Sequence, residues 1–290
     1  MMTGGALPTS ERALPTQRSP IAGTVDSTRT PVSDWRLVTT PAFPGAYNMA
    51  VDVALTESVR ARGAPVLRFY RWWPPCISLG RNQLARGHYD VEEARRRRIE
   101  FVRRPTGGRA VYHHHEITYS IVVRERAFGG PRNTYRLVHR SLAAGLKLMG
   151  VPVEVAGDSA PARRPTTLPC FGELDGGAIV VKGRKLVGSA QLRQRGVLLQ
   201  HGSILLGGDQ SPTLDLLKVQ RSADALPAPI ALGDLLEHLP NWQDMVDSLA
   251  LGFERVLGLR LSDSSLTADE LARVEGHAAR FRDAEWTWRL

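Results

Sequence analysis

The ordered part of the chain reads as an interleaving of two hydrophobic periods. Residues 35–38 form a short apolar strand pattern, and 48–60 have helical spacing with no breaker before Gly63. Alternation returns at 66–72 and at 77–80, followed by a helical stretch at 91–98 and a strand at 100–103. Residues 109–112 and 117–123 read as a hairpin-like pair. Residues 135–149 predict a helix ended by Gly150, and 151–155 an extended segment. Strands at 178–181, 185–191 and 196–200 follow, joined by turns at Lys182-Gly183-Arg184 and Arg193-Gln194-Arg195. Beyond 230 the pattern becomes helical, at 242–257 and 267–280, with Ser265 or Thr267 as N-cap. Because the helices and strands do not alternate strictly, the expected class is α+β, with a mixed, largely antiparallel sheet packed with helices.

Two segments fall outside these patterns. Residues 1–33 are rich in Pro, Thr, Ser, Gly and Ala and read as a disordered tail. Residues 157–168, rich in Pro and Arg, read as a loop. The expected organisation is a tail at 1–33, a catalytic domain at 34–230, and a helical extension at 231–290 packed on that domain.

Composition narrows the class. Of the 290 residues, 42% are hydrophobic and 7% aromatic, which suits a globular chain with a sizeable core. No apolar run is long enough to span a bilayer, and no secretory leader is legible, so the expected location is cytoplasmic. The formal charge of +9 is carried almost wholly by arginine; the lysines are Lys147, Lys182, Lys185 and Lys218. That balance suits an acidic partner. No nucleic-acid-binding motif accompanies the run Arg95-Arg96-Arg97-Arg98, which reads as a solvated helix face, so no nucleic-acid partner is expected.

Candidate chemistry sits in two stretches. In Arg104-Pro105-Thr106-Gly107-Gly108-Arg109, glycines between strands let the backbone approach a ligand, although an ordinary hairpin turn fits the same residues. It is neither a Walker loop nor a Rossmann fingerprint. His113-His114-His115 could converge at most two rings on a strand, so one histidine lining a pocket is favoured over a metal site. The second stretch is Pro169-Cys170-Phe171, fifteen residues ahead of Lys185. An ammonium beside a thiol lowers its pKa, and lysine, unlike arginine, can also exchange a proton. Spacing alone favours a buried cysteine and a turn lysine over a catalytic pair. Cys76 reads as a small buried apolar residue.

Taken together, these segments resemble a known family. Arg104-Pro105-Thr106-Gly107-Gly108-Arg109-Ala110-Val111-x-His113-x-x-Glu116-x-Thr118-Tyr119-Ser120 is similar to the signature of the lipoate–biotin protein ligase superfamily, and more narrowly of its cysteine-dependent octanoyltransferases. Tyr47-Asn48-Met49-Ala50-Val51-Asp52, Ser78-Leu79-Gly80-Arg81-Asn82-Gln83, Lys185-Leu186-Val187-Gly188-Ser189-Ala190-Gln191 and Gln200-His201-Gly202-Ser203 match in order. Only the N-terminal tail lies outside the resemblance.

It implies the biotin/lipoate ligase catalytic-domain fold and transfer of octanoyl from octanoyl-acyl carrier protein to a lysine of a lipoyl domain or glycine-cleavage H protein. Cys170 is implied as nucleophile and Lys185 as its partner. Arg104, Thr106, Gly107, Gly108, Arg109, His113, Gly188, Ser189, Ala190 and His201 are implied as substrate-binding residues. No cofactor and no metal are implied. The ligase branch typically carries a third glycine where Arg109 stands and lacks the cysteine, which separates it from the pattern here. The alternatives are an ATP-dependent lipoate or octanoate ligase and an amidotransferase between lipoyl proteins.

Overall fold

The computed structural model describes residues 34–156, 177–208, 210–219 and 228–290. The expected tail, the expected loop at 157–168 and Cys170 lie outside the described residues. The elements are β1 (Asp34–Phe43), α1 (Gly45–Arg60), β2 (Val66–Trp72), β3 (Cys76–Leu79), α2 (Val91–Arg96), β4 (Glu100–Arg103), β5 (Val111–His113) and β6 (Glu116–Arg124). After these come α3 (Pro131–Leu148), β7 (Glu154–Val155), β8 (Ile179–Val181), β9 (Arg184–Gln194), β10 (Val197–Leu205) and α4 (Pro212–Asp215). The chain closes with α5 (Trp242–Leu257), β11 (Arg260–Ser264), α6 (Ala268–Arg282) and α7 (Ala284–Thr287).

The large sheet has the order β11-β1-β2-β6-β10-β9-β8-β7. The pairs β1/β11 and β1/β2 are parallel and the rest antiparallel, as expected of a mixed, largely antiparallel sheet. Strand alternation sends residues to two faces. Ile117, Tyr119, Ile121 and Val123 of β6 face one core with Leu142 of α3 and Leu249 and Phe253 of α5. The other face buries Met49, Leu55 and Val59 of α1 with Val274 and Phe281 of α6. A smaller sheet, β4-β3-β5, has its own apolar cluster around Ile77, Leu79 and Tyr89.

Local chemistry explains the element ends. Asp90 caps α2 by accepting from Glu93 N (2.9 Å). Asn241 caps α5, which stops at Gly258 in the left-handed region. For α6 the cap is Thr267, in a reciprocal box with Glu270. Both turns around β9 are two residues long with positive φ, Lys182-Gly183 and Arg195-Gly196, the geometry that twists two antiparallel strands together. Hence β9 and β10 run longer than their apolar patterns indicate.

One expectation fails. The segments 109–112 and 117–123 do not pair with each other: β5 pairs with β3 in the small sheet, and β6 is taken on both edges by β2 and β10. His114 and His115 carry the chain from one sheet to the other, with Gly207 N and Leu206 N donating to His115 O.

Candidate active site

Where the two sheets meet, a cavity of about 350 Å³ is lined by Arg104, His113, Gly188, Ser189, Ala190 and His201, together with Met49, Tyr70, Trp72, Ser78 and Ser203. Six of the residues expected to bind substrate are thus brought to one place. Of the others, Thr106, Gly107, Gly108 and Arg109 form the adjacent turn.

That turn is built by Arg104. Its guanidinium donates to Gly107 O (2.8 Å), Arg109 O (2.7 Å) and Ser78 O (2.8 Å), so one side chain satisfies three backbone carbonyls. Gly108 has φ of +90°, and a Cβ there would stand 2.7 Å from Arg104 Nη2. Gly80 lets the turn close: a Cβ on it would lie 1.8 Å from Gly108 O.

Two buried histidines flank the cavity, each braced by a carboxylate. His201 Nδ1 donates to Asp52 Oδ2 (3.1 Å), and its Nε2 meets Thr106 Oγ1 at 2.6 Å. Asp52 also accepts from Arg68 Nη1 (2.9 Å), Ser120 Oγ (2.8 Å) and Tyr70 OH (3.2 Å). Burial pushes the Asp52 carboxyl up, but the bond from His201 and the charge of Arg68 outweigh it, and the result is a lowered pKa. Burial, with Arg104 and His113 nearby, holds His201 below its ordinary value, overcoming the opposing pull of Asp52. A neutral His201 with Nδ1–H on the carboxylate must accept at Nε2, so the Thr106 hydroxyl donates.

The second histidine repeats the arrangement. His113 Nδ1 lies 2.7 Å from Glu116 Oε1 and its Nε2 2.7 Å from Ser78 Oγ, while Trp72 stacks flat on the ring with centroids 3.9 Å apart. Glu116 Oε1 further accepts from Thr118 (2.5 Å) and Ser203 (2.9 Å), and Arg104 Nη1 donates to Ser78 Oγ (3.0 Å). His113 is buried, His114 half-buried and His115 exposed, so the three do not converge, and no cluster suited to a metal ion exists among the described residues.

On β9 the register slips. Ile179 faces Val187 but Val180 faces Lys185, leaving Leu186 as an extra residue. Leu186 and Val187 both enter the α3/α5 core, and Lys185 emerges on the same face as Gly188 and Ala190. Lys185 is 3% exposed. Its carbonyl accepts from Ile230 N (3.0 Å). Among the described residues no strand pairs with the outer edge of β9 past Val187. The Ser189 hydroxyl is turned away, held by Tyr119 OH (2.7 Å) and His139 Nε2 (2.8 Å).

Several contributors were not singled out from sequence. Asp52 and Arg68 carried a readable signal, a carboxylate inside the otherwise apolar run 49–55 and an arginine at an inward strand position. Ser78, Glu116 and Ser203 carried none beyond the motifs that contain them.

The sequence matches the profile of the lipoyl protein ligase A/B catalytic domain over residues 44–254. The chain belongs to this family. The match spans every residue of the cavity and its turn. Among curated relatives, the "Octanoyltransferase LipM" of Symbiobacterium thermophilum is 39% identical over 82% of this chain and 92% of its own length. That of Kyrpidia tusciae is 39% identical over 88% and 98%, and that of Staphylococcus aureus 34% over 88% and 98%. Among solved structures, lipoate-protein ligase A bound with ATP superposes with a TM-score of 0.74 at 21% identity, covering 88% of this chain and 98% of its own. The putative lipoate protein ligase from T. acidophilum gives 0.71 at 22%, over 89% and 99%. These likenesses establish the lipoyl-ligase fold. No helix among the described residues is long and apolar enough to cross a membrane.

Proposed function

We infer that this member of the lipoyl ligase A/B family is an octanoyltransferase of lipoate assembly, moving an octanoyl group to a lysine of a lipoyl-carrying protein. The relatives, 32–39% identical and named octanoyltransferases, support the reaction class. What supports the residue assignment is the bulge in β9, after which alternation puts Lys185 on the same strand face as Gly188 and Ala190.

In this reading the Cys170 thiolate attacks the carbonyl carbon of the donor thioester. The tetrahedral oxyanion is held by backbone N–H groups at the outer β9 edge or the Thr106–Gly108 turn, and collapse releases the donor thiol and leaves octanoyl-Cys170. The acceptor amine then attacks that thioester. The nitrogen loses a proton, the carbon–sulfur bond breaks, and an amide and the Cys170 thiol result. Lys185 lowers the thiol pKa by its charge and, within each half-reaction, takes the proton from the attacking group and returns it to the departing sulfur. The acyl tail packs against Met49, Tyr70, Trp72 and Val111, which line the apolar side of the cavity. The donor is octanoyl-acyl carrier protein, and the acceptor a lipoyl domain or glycine-cleavage H protein.

The test is transfer to an apo-lipoyl domain with octanoyl-acyl carrier protein and no nucleotide. Turnover without ATP that disappears in Cys170→Ala supports the reading. Turnover that needs ATP and survives Cys170→Ala establishes a ligase instead, and transfer only from an octanoylated lipoyl protein establishes an amidotransferase.

A further inference from the structure

A second depression, of about 880 Å³, lies beyond the Pro105 turn and is lined by Arg60, Arg81, Arg195 and Arg280, with Leu192 and Gln194 of β9 forming its floor. Its wall is Trp286, on which both Arg280 and Arg289 stack with guanidinium carbons 3.7 Å from the ring centre. Trp286 is fixed by its Nε1 donating to Arg103 O (2.9 Å), and Arg289 by Nη2 donating to Arg81 O (2.6 Å). None of these five arginines has a carboxylate partner among the described residues. The one carboxylate on the lining, Glu57, is engaged by His277 at 3.1 Å. Burial, then repulsion from Arg81, lowers the pKa of Arg280 and Arg289. The run Arg95–Arg97 is the opposite case: its guanidinium groups are taken by Glu92, Glu93 and Asp215. The guanidinium groups of the cleft are not neutralised in this way by any carboxylate among the described residues.

The depression is in line with the cavity. Gly188 and Ala190 line the cavity, and Leu192 and Gln194, next on the same face of β9, line the depression. On the neighbouring strand Leu199 and His201 repeat this order, as do Val53 and Met49 on α1. From Ala190 to Gln194 an extended strand rises by about 13 Å. A phosphopantetheine arm has about eleven chain atoms between its phosphate ester oxygen and its sulfur, close to four residues of extended backbone.

We propose that this arginine cleft binds the phosphate of the thioester donor's arm while the acyl group occupies the cavity. The proposal rests on the donor reading above. It makes the cleft the place where the enzyme selects a thioester borne on a phosphopantetheine arm over other thioesters.

The test is the rate of octanoyl transfer to Cys170 in the full chain from octanoyl-phosphopantetheine, octanoyl-pantetheine and octanoyl-acyl carrier protein. Wild type should prefer the phosphorylated small donor by about tenfold in kcat/KM. Arg280→Glu should abolish that preference, Arg280→Lys should retain most of it, and the rate with octanoyl-pantetheine should stay the same in all three. Equal rates for the two small donors in wild type, or an undiminished preference in Arg280→Glu, overturn the proposal. A loss confined to the whole carrier protein overturns it in favour of contact with the carrier's own surface. A raised KM for the acceptor alone assigns the cleft to the acceptor. If no thioester acylates wild type, the donor reading fails and takes the cleft proposal with it.

Discussion

His201 Nδ1 and Asp52 Oδ2 meet at 3.1 Å across 149 residues of sequence, tying α1 to β10 directly beneath the cavity. Through His201 Nε2 the same contact reaches Thr106, so the Thr-Gly-Gly turn is anchored in the core by a chain that begins at Arg68. Removing a link in that chain leaves a buried polar group without its partner.

Asp52→Ala leaves the Arg68 guanidinium, fully buried, without its counter-ion. Loss of one partner of such a pair costs about 3–5 kcal/mol. Urea unfolding of Asp52→Ala against wild type should show a drop of that size, and a change under about 1 kcal/mol would mean that Thr40 and Asn48 suffice for Arg68.

The same pair sets an acid limit. Both folded pKa values are lowered, so between each lowered value and the ordinary one the unfolded chain binds more protons than the folded chain. The His201 contribution is complete above 6.5 and is lost as pH falls through its lowered folded value. The Asp52 contribution is complete above 3.8 and is lost at still lower pH. Denaturant midpoints should therefore decline as pH falls below about 6.5, and His201→Gln should flatten the upper part of that decline. A midpoint in wild type that rises on acidification would contradict the assignment of His201 as neutral.

Much of this site is legible in the sequence, and its failures are informative. The helix at 242–257 and the Thr267 cap can be read because period and capping are local. The pairing of 109–112 with 117–123 could not be tested locally, because strands choose partners through burial: β6 buries both faces and takes β2 and β10 on its edges. The side of β9 on which Lys185 emerges was hidden for a related reason. Strict alternation places Lys185 on the face of Val187 and Ser189, and only the extra residue at Leu186, set by pairing with β8, reverses it.

Thr106→Val removes the donor to His201 Nε2 while keeping shape, and should cost about 1–3 kcal/mol and slow acylation, because the turn loses its anchor. Thr106→Ser keeps the hydroxyl and should recover most of both. Equal loss in the two variants, read by thermal unfolding and by single-turnover acylation, would show that the methyl group and not the hydroxyl holds the turn.

Met49 lines the cavity and is 1% exposed. Met49→Ala should enlarge the apolar end and shift preference toward acyl chains longer than octanoyl, at a stability loss of about 2–5 kcal/mol. Competition between octanoyl and decanoyl donors reads the shift, and an unchanged ratio would move the tail-binding wall elsewhere in the cavity.

The central claim, that the octanoyl group passes through a thioester on Cys170 with Lys185 as its proton carrier, is tested most directly by intact-protein mass spectrometry after brief mixing with octanoyl-acyl carrier protein. Wild type should gain the mass of one octanoyl group, discharged on adding an apo-lipoyl domain; Cys170→Ser should gain none that hydroxylamine at neutral pH removes; and Lys185→Arg, still folded, should gain it far more slowly. An unmodified wild-type chain that nonetheless octanoylates the lipoyl domain would contradict the account.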